Sequence, residues 1–184
     1  MYQFLRGFRD FIRDNVCKQI ELKRIERDEH EKPIYTRVNP EVYLFDEIIS
    51  IGETKMPYIK IYATSTNSAI NKILDITLGI FVKNDGIYSY QYDNEGNQLA
   101  DYNLKPDDQS AWMDAWGIAG KIERELLSNG LTVYPLGQSV EIIPSEDGWV
   151  GNGIAQIDVK CQIELPPTPI TNLEFTKGGY LDDL

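Results

Sequence analysis

The beginning of the chain places hydrophobic side chains at every third or fourth position, a spacing that gathers them on one face of a helix. Residues 2–19 are therefore predicted to form an amphipathic helix, and residues 20–32 either continue it or open a strand. Charges of both signs fill the opposite face, which favours packing against a core or a partner over contact with a membrane. The apolar positions of the helix are Phe4, Leu5, Phe8, Phe11, Ile12 and Val16.

Alternation of apolar and polar residues farther along the chain predicts strands. The longest are residues 57–64, 74–83 and 154–165, and Pro57 suits a strand start because it has no N–H to donate. Residues 131–134 and 140–143 are shorter candidates, and residues 42–51 form a dense apolar run. The predicted core-facing positions of the two longest alternating strands are Leu74, Ile76, Leu78, Ile80 and Val82, then Ile157, Val159, Cys161, Ile163 and Leu165.

Residues 84–106 are predicted to form a hairpin arm. The Asn-Asp-Gly sequence at 84–86 is a turn signal, and residues 93–97 supply the Asp, Asn and Gly that tolerate tight-turn backbone conformations. The strand between them carries Tyr88, Tyr90 and Tyr92 on one face, and we expect these aromatic side chains to form part of an interface. The tip also resembles a calcium loop, but glycine and glutamate fall at the wrong positions, which favours a simple turn.

A second helix is predicted after the arm, with Asp107 or Ser110 as its cap and the Asn-Gly pair at 129–130 as its end. Gly117 and Gly120 lower its helix propensity, and we expect them to allow close approach to a sheet or to a neighbouring subunit. The predicted buried stripe of this helix comprises Trp112, Ala115, Trp116, Ala119, Ile122 and Leu126.

These elements indicate the α+β class, with a small, mostly antiparallel sheet flanked by an N-terminal helix and one central helix. Residues 1–165 are expected to form one domain, with an N-terminal helical segment at 1–32 and the hairpin arm at 84–106. Residues 166–184 follow as an extended tail, because the Pro-Pro-Thr-Pro sequence at 166–169 stops regular structure. Phe175, Tyr180 and Leu181 in the tail, and Trp149 in a loop, are further predicted interface residues.

The charge balance argues against general affinity for nucleic acid. The chain has 18 Lys and Arg residues against 29 Asp and Glu residues, a net charge of -11, whereas binding to phosphates depends on cations. The sequence begins without a recognisable signal peptide, and no apolar run approaches the ~20 residues that span a bilayer. We therefore expect a protein that is made and kept in the cytoplasm, or in a particle assembled there.

Candidate chemistry is sparse, and no catalytic, cofactor-binding or metal-binding residue is predicted. Cys17, Cys161 and the single histidine, His30, are one ligand short of a four-ligand zinc site, so two buried free thiols are expected, although a disulfide stays open. His30 lies in a charged stretch typical of a solvated surface. The sequence at 151–156 begins like a dinucleotide fingerprint, but it lacks the third glycine and leads into a strand.

The order of the elements resembles the tail-terminator, or neck-terminator, proteins of tailed bacteriophages. The resemblance covers residues 42–166 and includes the Pro-Tyr-Ile-Lys-Ile sequence at 57–61, the Trp-Met-Asp-Ala-Trp helix at 112–116 and the Gly-Trp-Val-Gly sequence at 148–151. The arm and the C-terminal tail depart from the plain pattern of that family.

The resemblance implies a non-enzymatic virion protein that forms a ring, expected to be hexameric, at the junction of neck and tail. Such a ring caps the tail tube, joins it to the head connector, and lets DNA pass through its lumen without specific binding or membrane contact. The expected partners are further copies of the chain and the connector and tail-tube proteins, in a virion assembled in the host cytoplasm. Alternatives are another small virion component, such as a head-completion or tail-tube subunit, and a carboxylate-based hydrolase.

Overall fold

The computed structural model of the protein describes residues 2–30, 32–45, 47, 56–67, 72–105, 107–128, 140–144 and 153–164. The helices are α1 (Tyr2–Asn15) and α2 (Asp108–Ser128), and a short 3-10 turn, Cys17–Gln19, follows α1. The strands are β1 (Leu22–Arg27), β2 (Pro33–Val38), β3 (Glu41–Leu44), β4 (Tyr58–Asn67), β5 (Lys72–Lys83), β6 (Ile87–Tyr92), β7 (Gln98–Lys105), β8 (Glu141–Pro144) and β9 (Ile154–Glu164).

The main sheet has five strands in the order β3-β4-β5-β9-β8. The pair β3–β4 is parallel and every other pair is antiparallel, so the predicted α+β fold with a mostly antiparallel sheet is confirmed. The two longest strands, β5 and β9, pair along their lengths with Leu78 opposite Val159 at the centre. Because the two strands run antiparallel in full register, their apolar residues fall on the same face.

The core lies between one face of this sheet and both helices. Successive strand residues point to opposite faces, so alternate positions of β5 and β9 are buried, as the sequence predicts. Leu165, the last of the predicted positions, lies outside the described residues. Each fully buried Leu or Ile contributes about 1.5–3 kcal/mol relative to leaving it exposed. The buried side chains of the sheet are Leu44, Ile59, Ile61, Leu74, Ile76, Leu78, Ile80, Val82, Ala155, Ile157, Val159, Cys161 and Ile163. Those of α1 and the residues directly after it are Leu5, Phe8, Ile12, Val16 and Cys17.

The second helix, α2, is capped by Asp107, which decides between the two predicted caps. The Asp107 carboxylate accepts hydrogen bonds from the backbone N–H of Ser110 (3.0 Å) and from its hydroxyl (2.7 Å). Because the first N–H groups of a helix lack partners within it, this side chain satisfies one of them. The same bonds lower the pKa of Asp107, with the backbone N–H of Ser110 as the largest cause.

The buried stripe of α2 differs from the predicted one at its aromatic positions. Ala115, Ala119, Ile122 and Leu126 are buried as predicted, but the Trp116 side chain is 44% exposed and Trp112 is only partly buried. The stripe that faces the sheet consists of Ala111, Ala115, Ile118, Ala119, Ile122, Glu125 and Leu126. Successive helix residues are separated by about 100°, so Trp116 lies to the side of this stripe and its burial was wrongly predicted.

The two glycines of α2 do not contact the sheet. Apart from the neighbouring backbone of the helix itself, a methyl group added to Gly117 or Gly120 would meet no atom of the described residues within 4 Å. The prediction of close approach to the sheet is therefore wrong, and the predicted approach of a neighbouring subunit stays a prediction.

A two-stranded hairpin, β1–β2, follows α1 and corrects the predicted helical segment 1–32, which is helical only to Gln19. It is attached to the main sheet through Asp85, whose carboxylate accepts a hydrogen bond of 3.3 Å from the backbone N–H of Ile25. Lys83 at the end of β5 holds the same carboxylate with its ammonium group at 2.8 Å. The predicted strand at 131–134 lies outside the described residues, as do the loop residues 148–152 and the tail.

Candidate docking surfaces

The predicted hairpin arm is formed by β6 and β7, which make a sheet of their own. Tyr90 is opposite Tyr102, Tyr92 is opposite Gln98, and the register shifts between the two pairs. Tyr88 and Tyr90 are two residues apart on β6. The Tyr92 side chain is 62% exposed. In the described parts of the chain the arm pairs with no other strand, so it presents two strand edges and an exposed aromatic ring.

The tip of the arm is a turn closed by Asp93. Its carboxylate accepts hydrogen bonds from the backbone N–H groups of Glu95 (2.9 Å) and Asn97 (2.8 Å), and Gly96 has a φ of 84°. These bonds lower the pKa of Asp93, and the backbone N–H of Asn97 is the largest cause. The turn prediction is confirmed, since the carboxylate serves the backbone of the loop. Within the described ranges no cluster of three or more His, Cys, Asp or Glu side chains could hold a metal ion.

A second surface is the outer side of α2, where an open groove of about 550 Å³ lies between the helix and residues 19–22. We call it the α2 groove. The side chains of Met113 and Trp116 beside it are 67% and 44% exposed, and Gly117 and Gly120 form a floor without side chains. The lining is completed by Gln19, Ile20, Glu21, Leu22, Asp114, Ile118, Lys121 and Arg124.

Charged residues mark the two ends of the α2 groove. Asp114 is near its start, where its carboxylate accepts a hydrogen bond of 3.1 Å from the Asn84 amide and partial burial raises its pKa. Lys121 forms an ion pair of 2.9 Å with Glu125. Arg124 is exposed near the far end, and within the described part of the chain its guanidinium forms no ion pair. The groove therefore has an acidic end and a basic end.

The third surface is the face of the main sheet that the helices do not cover. Tyr43, Tyr58 and Phe81 form a row across β3, β4 and β5, with Tyr58 stacked on Phe81 at 4.6 Å between ring centroids and edge-on to Tyr43 at 6.1 Å. Because these rings contact one another, much of their apolar surface is already used. In the described residues, β3 and β8 at the two edges of this sheet each pair with one strand.

The two cysteines and the single histidine lie in ordinary structural environments. Cys17 and Cys161 are both free and buried, as expected, and burial raises the pKa of each thiol to about 12. A thiol with such a pKa is a poor nucleophile near neutrality, because the thiolate is the reactive form. His30 is exposed, and its backbone N–H donates to the Asp28 carboxylate at 2.8 Å.

The predicted interface residues fall into two groups. Tyr88, Tyr90 and Tyr92 lie together on β6, whereas Trp149, Phe175, Tyr180 and Leu181 lie outside the described residues. The sequence reasoning missed the α2 groove, because both tryptophans of α2 were assigned to the core. The glycine pair was the signal that could have revealed an outward-facing groove.

Comparison of the sequence with models of known protein families and with curated proteins gives no match. No helix in the described ranges is both long and apolar enough to cross a membrane.

Proposed function

We propose that the protein is a structural component of a tailed-virus particle, a ring subunit at the junction of neck and tail. In this proposal copies of the chain cap the tail tube and join it to the head connector. The observation that carries the proposal is the β6–β7 arm, which pairs with no strand of the main sheet in the described residues and exposes Tyr92 near its tip.

A ring requires contacts in which one surface of a subunit binds a different surface of the next. The arm is suited to one half of such a contact, because its strand edges can add to the edge of another sheet. The edge strands β3 and β8 of the main sheet are suited to the other half, since each has one strand partner in the described part of the chain. Tyr92 would supply apolar contact beside the paired backbones, as aromatic residues often do in interfaces.

The charge of the chain supports a ring through which DNA moves. A net charge of -11 per subunit disfavours adhesion of the phosphate backbone to a lumen, since like charges repel. Basic side chains of α1 and of the turn after it are also neutralised by carboxylates, as in the ion pairs of Arg9 with Glu47 at 2.5 Å and of Lys18 with Asp14 at 2.8 Å.

The test is to measure the mass of the particles that the full chain forms in solution, by light scattering across a concentration series, with negative-stain images of the same fractions. We expect closed rings with an open centre. Tyr92→Asp should weaken assembly by tenfold or more, the loss expected (~1.4 kcal/mol) when an aromatic contact is removed from an interface. Tyr35→Asp is the matched control, because Tyr35 lies on the other hairpin and is 43% exposed.

Two results would count against the proposal. A chain that stays monomeric at every concentration would overturn a self-assembling ring. Equal assembly of the Tyr92→Asp and Tyr35→Asp variants, with wild-type rings present, would show that the arm does not carry the subunit contact.

A further inference from the structure

No contact within the described chain explains why glycine occupies positions 117 and 120 of α2. Glycine in a helix interior costs about 1 kcal/mol relative to alanine, and a methyl group at Gly117 or Gly120 would meet nothing within 4 Å. Alanine at both positions would therefore fit the described structure and strengthen the helix. The flat floor of the α2 groove is explained if another segment lies on it.

The walls of the groove have the character of a contact surface. Met113 and Trp116 are among the large hydrophobic side chains with the greatest exposure, although both belong to a helix whose inner face is well packed. Exposed apolar groups of this size beside a groove are typical of a binding surface. An aromatic or aliphatic side chain that packs on the two glycines would also cover the exposed side chains of Met113 and Trp116.

The charges at the two ends of the groove restrict what can lie in it. Asp114 and Arg124 are separated by ten residues of α2, which corresponds to about 15 Å along the helix axis. A bound segment with a cation opposite Asp114 and an anion opposite Arg124 would satisfy both. In an extended chain that spacing corresponds to about five residues.

The C-terminal segment of this chain has that pattern. Lys177 and Asp182 are five residues apart, about 17 Å in an extended chain, and Tyr180 lies between them. We propose that residues 176–182 occupy the α2 groove of their own chain, with Lys177 near Asp114, Tyr180 on the glycine floor, and Asp182 near Arg124.

The lengths allow this arrangement within one molecule. The start of α2 is held at the start of β9, because the Asp108 carboxylate accepts a hydrogen bond of 2.6 Å from the backbone N–H of Gly153. The strand β9 ends at Glu164, about 36 Å along the strand from Gly153. The thirteen residues from Glu164 to Lys177 span up to about 43 Å when extended. A tethered segment also has a high effective concentration at its own groove.

The test is disulfide trapping in the full chain carrying Met113→Cys and Thr176→Cys, oxidised by oxidised glutathione and examined by non-reducing electrophoresis. The proposed register brings these two positions together and leaves Trp116, Tyr180 and both glycines unchanged. Cys17 and Cys161 are buried and should not compete. The matched control pairs Thr176→Cys with Asn94→Cys at the exposed arm tip. We expect a linked monomer in at least tenfold higher yield than in the control.

A charge exchange tests the register. Arg124→Glu in the trapping variant should lower the yield by up to about fivefold, the effect expected of one exposed ion pair, and adding Asp182→Lys should restore it. Linkage mainly between two molecules, a yield no higher than that of the control, or no response to the charge exchange would each overturn the proposal. The readout is a linked monomer, so it is independent of whether the protein forms rings.

Discussion

The carboxylate of Asp108, the first residue of α2, accepts a hydrogen bond of 2.6 Å from the backbone N–H of Gly153, directly before β9. Gly153 is buried and has a φ of 75°, a conformation that favours glycine. The two residues that this contact joins are 45 positions apart in the sequence. It holds the start of the helix beside the start of β9.

Replacing Asp108 with alanine should destabilise the protein by about 1–3 kcal/mol, because the Gly153 N–H loses its acceptor in a partly buried site. Asp108→Asn keeps a side-chain oxygen and should lose less. Urea unfolding measures both changes. Gln109→Ala, an exposed position in the same helical turn, is the control and should change stability little. An equal loss in the control would contradict the importance of the contact.

The orientation of α2 predicts opposite outcomes at two adjacent leucines. Leu126 is fully buried, whereas the Leu127 side chain is 47% exposed. Leu126→Ala should lower the free energy of unfolding by about 2–5 kcal/mol, because it leaves a cavity in the core. Leu127→Ala should stay within about 0.5 kcal/mol of the wild type. Urea titration of both variants distinguishes this orientation from one in which the losses are reversed.

Asp85 is predicted to hold the β1–β2 hairpin on the main sheet. Asp85→Ala removes the acceptor of the Ile25 N–H, and hydrogen exchange at this amide should become about tenfold faster or more, a change of ~1.4 kcal/mol. Asp85→Asn retains an acceptor and should have a smaller effect. The amide of Leu78, in the middle of β5, is the internal reference. Unchanged exchange at Ile25 would mean that the hairpin is held by other contacts.

The arm tip should loosen in acid. The pKa of Asp93 is lowered from its ordinary value of 3.8, mainly by the backbone N–H of Asn97. A carboxyl group with a depressed folded pKa contributes stability that is complete above the unfolded pKa and lost as the pH falls through the folded value. The amide signals of Glu95 and Asn97 should therefore shift together below pH 3.8. Asp93→Asn should abolish this common shift, and its persistence in the variant would assign it elsewhere.

Gly117→Ala and Gly120→Ala should each strengthen α2 by about 1 kcal/mol, since the added methyl groups meet no other element of the described structure within 4 Å. The same changes should lower the yield of the disulfide trapped between positions 113 and 176, because they raise the floor of the α2 groove. Gly79→Ala is the contrasting control, since its methyl group would lie 3.1 Å from the Phe81 ring. Destabilisation at Gly117 or Gly120 would show that the glycines are needed within the fold.

The elements predicted best were those whose pattern is local and one-sided. The alternation in β5 and β9 and the helical spacing in α1 each specify a single buried face, and that face is buried in the structure. The arm was also predictable, because Asp, Asn and Gly at its tip are needed for the turn that Asp93 closes. Of the candidate site, the sequence therefore indicated the arm with Tyr92.

Where the sequence pattern is compatible with more than one buried face, it did not predict the type of element or its buried side. The strand β1 carries many charges, which hide its alternation, so the sequence of residues 20–32 is compatible with either a helix or a strand. In α2 the apolar residues surround most of the helix, so local spacing favoured Trp116 as a core residue, yet it is exposed.

The sequence by itself determined the fold class, most of the long elements and the turn at the arm tip, because these follow from backbone geometry and the spacing of apolar side chains. The tertiary structure decided which side of α2 is buried, and with it the existence of the α2 groove. The physical reason is close packing: the small side chains of Ala111, Ala115 and Ala119 allow the helix to approach the sheet, whereas the large side chain of Trp116 stays outside the packed stripe.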